Sequence, residues 1–194
     1  MHDVLAYASD LPPSRRNFYP LWAYVLEYWF PSAEGFEIME DWNQSSFRAQ
    51  QIPQSQRWEG SNDGILHRPK PSLAVFDVNS PTQPFLFVNI HNGMPVNDLS
   101  RIYAKMTLEE SFETLRACSF CAGFKTLCVV SAVGARWSMI LRDTDWLEGE
   151  AESGLDYVGE LEEDVTSPES YRIMGYCFKE IKNNILRRRR ERED

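Results

Sequence analysis

The stretch PFLFVNIHNG, residues 84–93, is an apolar run that closes on an amide, an imidazole and a turn. Phe85 to Val88 are large and apolar without interruption, the pattern of a strand covered on both faces. Successive strand side chains alternate between faces, so Asn89 and His91 share one. Two polar side chains closing a buried strand need a physical reason. Either they hydrogen-bond structurally at the strand end, or the strand carries them to a site.

Upstream, SLAVFDV (72–78) reads as a second strand, joined to the first by NSPTQP (79–84). The length and prolines of that connection fit a hairpin loop. The two strands are expected to pair in antiparallel fashion. GFEIMEDW (35–42) alternates as a further strand. Before it a helix starts near Phe18, with Pro20 suited to its first turn and Pro31 ending it. Leu21, Trp22, Val25, Leu26, Trp29 and Phe30 recur at helical spacing.

Downstream, Thr107-Leu-Glu-Glu110 matches a capping box and predicts a helix from there to about Cys121, with Gly123 near its C-cap. TLCVVSAV (126–133) is continuously apolar and predicts a central strand. RWSMILRD (136–143) predicts the next one. The acidic stretch 143–166 is expected to be a loop. Ser167-Pro168-Glu169 then opens a last helix, whose stripe Tyr171, Met174, Phe178, Ile181 and Ile185 is core packing. The order helix, three strands, helix, two strands, helix predicts a single-domain α/β sandwich with a mixed sheet. Residues 1–17 form an arm, 18–186 the domain with a long polar loop at 43–70, and 187–194 a basic C-terminal tail.

The chain has 194 residues, 43% hydrophobic and 13% aromatic, enough to fill one core. No run approaches the roughly 20 apolar residues of a membrane helix, so no membrane partner is expected. The N-terminus lacks the basic and apolar regions of a secretory signal, which argues for an intracellular protein, cytoplasmic or nuclear. Such a protein keeps its cysteines reduced. Cys118 and Cys121 have half the spacing of a zinc site, but Cys128 and Cys177 supply no second knuckle. All four read as core residues, and no cofactor is expected. No Gly-x-Ser-x-Gly, Gly-x-Gly-x-x-Gly or phosphate loop occurs.

Net charge is −9, which disfavours a general nucleic-acid binder. The charge is uneven. Every charged residue from Asp143 to Asp164 is acidic, whereas residues 187–192 read RRRRER. Arg187, Arg188, Arg189, Arg190 and Arg192 are expected to continue the last helix past the core as a free basic handle. Its partner would be the chain's own acidic stretch, an acidic protein or a nucleic-acid backbone.

The order helix, three strands, helix, strand is also that of the PD-(D/E)XK, or restriction-endonuclease-like, fold. Over residues 18–185 the chain resembles a fungal branch of that superfamily in three places. LWAYVLEYWFPSAEGFEI (21–38) resembles its first helix and strand. PFLFVNIHNG stands where the branch has an apolar run ending in Glu-Ile-Lys. SAVGARW (131–137) is similar to its Ser-Ala-Ile-Gly-x-Arg-Trp turn.

The resemblance implies an αβββαβ core, a metal-binding Asp at the start of the second strand and Glu-x-Lys at the end of the third. Ser72 stands at the Asp position, Asn89 at the Glu and His91 at the Lys, and the resemblance implies that the three lie near one another at one edge of the sheet. Mg²⁺ prefers oxygen ligands with formal negative charge, and both strand carboxylates are gone. An imidazole with a reference pKa of about 6.5 does not replace a permanent cation. Asp77 lies five residues beyond Ser72 and so faces the other way. Some members of the superfamily use a helical Glu, which Glu27 could supply; Asp63, in the long loop, could also fold in, though nothing in the sequence requires it. The expectation is a catalytically inactive nuclease-like protein acting through protein contacts, with no metal. Two alternatives stand beside it: a divergent nuclease using Mg²⁺ with Glu27, and a non-cleaving nucleic-acid binder.

Overall fold

The computed structural model describes residues 18–40, 42, 72–119, 124–143 and 157–193. The arm 1–17, the loop 43–70 with Asp63, and Cys121 lie outside the described residues. Three helices and six strands form among them: α1 Tyr19–Trp29, β1 Phe36–Glu40, β2 Leu73–Asp77, β3 Pro84–Ile90, α2 Asp98–Ser119, β4 Thr126–Val133, β5 Arg136–Asp143, β6 Tyr157–Asp164 and α3 Pro168–Glu193. A short 3-10 turn, Ser32–Glu34, links α1 to β1. None of the helices is long and apolar enough to cross a membrane.

The strands make one mixed sheet in chain order. β3 and β4 are its parallel pair, and all other neighbours are antiparallel. Parallel neighbours need a long crossover, and α2 is that crossover. The expected α/β class with a mixed sheet is therefore observed, including the antiparallel pairing of the strands around 72–78 and 85–91. All eight residues of β4 are buried, as a central strand covered on both faces requires.

Register assigns the two faces. Asn89 of β3 stands beside Ser131 of β4, which stands beside Ser138 of β5. Asn89 hydrogen-bonds α2, so this row faces α2. Ile90, Ala132 and Trp137 form the adjacent row on the opposite face. The Trp137 indole N–H donates to the Ser170 hydroxyl of α3 at 2.8 Å, so α3 covers that side. α1 packs beside α3 there. Phe30 at the end of α1 meets Phe36, Phe85 and Phe178 at ring distances of 5.4, 5.4 and 5.5 Å. Gly175 lets the helices approach: a Cβ there would lie 2.4 Å from the Trp29 ring.

Two sequence expectations are corrected. The second helix starts at Asp98, well before the Thr107 box. Asn97 caps it: the Ser100 N–H donates to Asn97 Oδ1 and the Asn97 N–H donates to Ser100 Oγ, both at 2.9 Å. Thr107 is interior, its hydroxyl donating to the Tyr103 carbonyl one turn back. The early turns of α2 hid because Leu99, Ile102 and Met106 are apolar yet exposed, which erases the two-sided helical pattern.

The acidic stretch, expected to be a loop to residue 166, contains β6. An edge strand has a partner on one side alone and tolerates charge, so its carboxylates did not forbid it. Gly159 and Leu161 have φ of 71° and 59°, and the register with β5 shifts between Trp137 and Met139. The simple alternation that marks a strand is broken there. Leu161 is buried with Ala104 and Val133. The last helix begins as its sequence predicts, with the Ser170 N–H donating to the Ser167 hydroxyl.

Candidate functional site

The antiparallel register of β2 on β3 pairs Leu73 with Val88 and so brings Ser72 alongside the end of β3. There the Ser72 hydroxyl accepts the Ile90 N–H at 3.0 Å. Asn89 is 2% exposed, and its Nδ2 donates to the Ser111 hydroxyl on α2 at 3.0 Å. Asn89 Oδ1 is buried without a hydrogen-bond partner. His91 follows on the same face. Its Nε2 and the Ser131 hydroxyl hydrogen-bond at 2.9 Å, with the tautomer setting the donor. Its ring meets Tyr103 of α2 edge-on, at 5.2 Å and 74°. Its own N–H donates to the Ala132 carbonyl, continuing the β3–β4 ladder.

Ser72, Asn89 and His91 therefore form one cluster, at the start of β2 and the end of β3, beneath α2. Desolvation by burial pushes the His91 imidazole down to about 4, so it is neutral near pH 7. Every side chain named in the cluster is then uncharged: hydroxyls, an amide, a phenol and an imidazole. Among the described residues, no group of three or more His, Cys, Asp or Glu could hold a metal ion.

Glu27 and Asp77 lie away from the cluster, and Asp63 is outside the described residues. Glu27 Oε1 accepts the Ser32 N–H at 3.2 Å and the Ser32 hydroxyl at 3.3 Å. It ties the C-terminal end of α1 to the following turn. The opposite end of α1 is the one that reaches the cluster's loop, through the Phe18 N–H and Asn92 Oδ1 at 3.0 Å. Asp77 is buried at the far end of β2, on the face of α3, where Arg189 meets it at 3.1 Å.

The arginine run is not a free handle, which corrects the expected tail. α3 does continue through it, but two of its arginines dock on the core. Arg189 binds Asp77, and its guanidinium also donates to the Glu34 and Gly35 carbonyls. Arg188 lies over the Phe124 ring, 4.6 Å from its centroid. Arg187, Arg190 and Arg192 stay exposed. The tail docks because α3 keeps running along the sheet beyond its apolar stripe, and the long arginine stems reach polar groups there.

Sequence reading missed Ser111, Ser131 and Tyr103 as members of the cluster. Ser131 left a signal, a hydroxyl in the middle of the mostly apolar strand β4. Ser111 left one too, a buried polar residue among Leu108, Phe112 and Leu115. Cys128 and Cys177 are buried free thiols, and burial pushes both pKa values up, so they serve as core residues. No family model, curated protein or solved structure matches the chain.

Proposed function

We propose that the chain is a catalytically inactive relative of the PD-(D/E)XK nucleases that works through protein–protein contacts. The observation that carries this reading is the wiring of the three signature positions. Ser72 accepts a backbone N–H, Asn89 donates to Ser111, and His91 is bonded to Ser131. A nuclease site would present carboxylates to a cation at two of these positions. Here the positions carry neutral groups bonded to their own fold, so a Mg²⁺ ion would meet no formal charge from them. The αβββαβ order, with a parallel pair joined through α2, supports the nuclease-like ancestry.

The binding half rests on α2. Leu99, Ile102, Tyr103 and Met106 recur at helical spacing on its outer surface and are 76, 58, 46 and 53% exposed. An apolar stripe left in water marks an interaction surface. Tyr103 belongs to both the stripe and the cluster, since its ring touches His91.

Incubation of the purified chain with DNA and RNA, with Mg²⁺ or Mn²⁺, is expected to give no cleavage. Calorimetric titration with Mg²⁺ is expected to show no saturable site. Cleavage that vanished on Glu27→Ala would instead establish a rebuilt metal centre. Strongly salt-dependent binding to DNA or RNA without cleavage would favour a nucleic-acid partner.

A further inference from the structure

The outer face of α2 carries an apolar patch that the sheet beneath the helix does not use. Leu99, Ile102, Tyr103 and Met106 are exposed, while Ala104, Thr107, Leu108 and Ser111 on the inner face are buried. Residues three and four apart are neighbours on a helix, so the four exposed side chains form one compact diamond over two turns. Val96, just ahead of the helix and 40% exposed, extends it. Beyond Met106 the outward positions turn acidic, with Glu109, Glu110 and Glu113 all exposed. The patch is also held ready for contact. The Asn97–Ser100 hydrogen bonds fix the first turn of α2. The Tyr103 ring is set edge-on against His91, so it loses little freedom on docking.

The charges around the patch select its occupant. Asp98 and Lys105 lie two turns apart on the same border of the diamond, and both are exposed. A two-fold contact puts the same patch on both sides. If two copies of α2 met in parallel, each residue would face itself, and Lys105 would oppose Lys105. If they meet antiparallel, with the axis between Ile102 and Tyr103, Leu99 of one copy lies on Met106 of the other. Ile102 lies on Tyr103. Lys105 then comes beside Asp98 of the second copy, and symmetry makes that pair twice. Glu109, one turn further on, comes to the N-terminal end of the second α2, where the helix dipole favours a carboxylate. The patch is therefore complementary to itself in both apolar shape and charge. Each chain carries a net charge of −9, but that repulsion is screened beyond about 8 Å at physiological salt.

We propose that α2 is a self-association surface, and that two copies of this chain form a two-fold dimer through antiparallel contact of Leu99, Ile102, Tyr103 and Met106. This rests on the reading of α2 as a contact surface and names its occupant. The patch is small beside the roughly 1,200–2,000 Å² that stable interfaces bury in total. The dimer is accordingly weak and reversible, with a dissociation constant on the order of tens of micromolar.

The test is sedimentation velocity of the full chain over a hundredfold range of concentration, up to about 0.3 mM. A monomer–dimer equilibrium is expected. Ile102→Glu buries a charge at the axis and is expected to leave the chain monomeric throughout. The side chain it replaces is 58% exposed, so the variant should keep the native melting temperature. Asp98→Lys and Lys105→Asp, each alone, are expected to weaken the dimer about five- to tenfold by setting like charges together at two places. The two combined should restore it to within about twofold. Arg172→Glu, on exposed α3, is the control and should change it less than about twofold. A chain that stays monomeric would overturn the dimer, as would assembly beyond two copies. A dimer indifferent to Ile102→Glu would overturn the surface. Single reversals that the double variant does not repair would overturn the antiparallel arrangement. None of these results bears on cleavage or on Mg²⁺ titration, so failure here is separable from failure of the inactive-nuclease reading.

Discussion

Arg189 and Asp77 meet at 3.1 Å between the end of the last helix and the far end of β2, with the Asp77 side chain 2% exposed and that of Arg189 15% exposed. Asp77 also accepts the Asn79 N–H at 2.9 Å, which shapes the turn after β2. Removing one partner of a buried pair leaves an uncompensated charge, at a cost of about 3–5 kcal/mol. Arg189→Met, or deletion of residues 187–194, is therefore expected to lower unfolding free energy in urea by at least about 3 kcal/mol. A change below about 0.5 kcal/mol, the usual range for surface substitutions, would mean that the arginine run is not part of the fold.

His91 makes stability depend on pH. Its folded pKa of about 4 lies below the value of 6.5 for a free imidazole, so the fold prefers the neutral ring. The unfolded chain takes the proton first as pH falls, and stability rises with pH wherever the unfolded state binds more protons. The contribution is complete above about pH 6.5 and drains away as pH falls toward 4. Between pH 7 and pH 4.5 the native chain should lose about 2–3 kcal/mol more than His91→Gln does. Parallel pH profiles for the two proteins would refute the assignment.

Trp137 and Ser170 are both 0% exposed, and their hydrogen bond joins β5 to α3. Ser170→Ala leaves the indole N–H buried and unpaired, which costs about 1–3 kcal/mol. Chemical denaturation followed by tryptophan fluorescence should show a lower midpoint without a change in slope. An unchanged midpoint would place the indole N–H in contact with another acceptor.

Asn97 rather than Thr107 opens α2, so Asn97→Ala should destabilise the protein by about 1 kcal/mol through loss of the cap. Amide exchange in the first turn of α2, around Leu99 to Arg101, should accelerate in that variant. Unaltered exchange there would return the helix start to a later position.

Features whose signals are local were legible in the residues alone. Phe85 to Val88 and the all-buried Thr126–Val133 read as strands because continuous apolarity requires cover on both faces. The Ser167-Pro168 start of α3 read as a helix cap because a hydroxyl and a proline satisfy the same exposed backbone N–H problem wherever they occur. That hydroxyl, amide and imidazole groups stand at residues 72, 89 and 91 could also be read directly. Their partners could not. Ser111 and Ser131 lie 22 and 42 positions beyond Asn89, and which hydroxyl meets which strand end is settled by register and helix placement.

The same holds for the elements that were misread. The Asn97 cap competed with a better-looking motif at Thr107, and exposed apolar residues on α2 hid its water-facing side. The carboxylates around β6 suggested a loop, because alternation assumes a regular pleat and this edge strand departs from one. Five arginines in a charged run looked like a solvated tail. Whether a charged side chain is a surface group or a core tether depends on what the fold places within reach of its head group. Asp77 and the Glu34 and Gly35 carbonyls lie more than a hundred positions from Arg189, so that environment exists only once the sheet and the last helix are packed together.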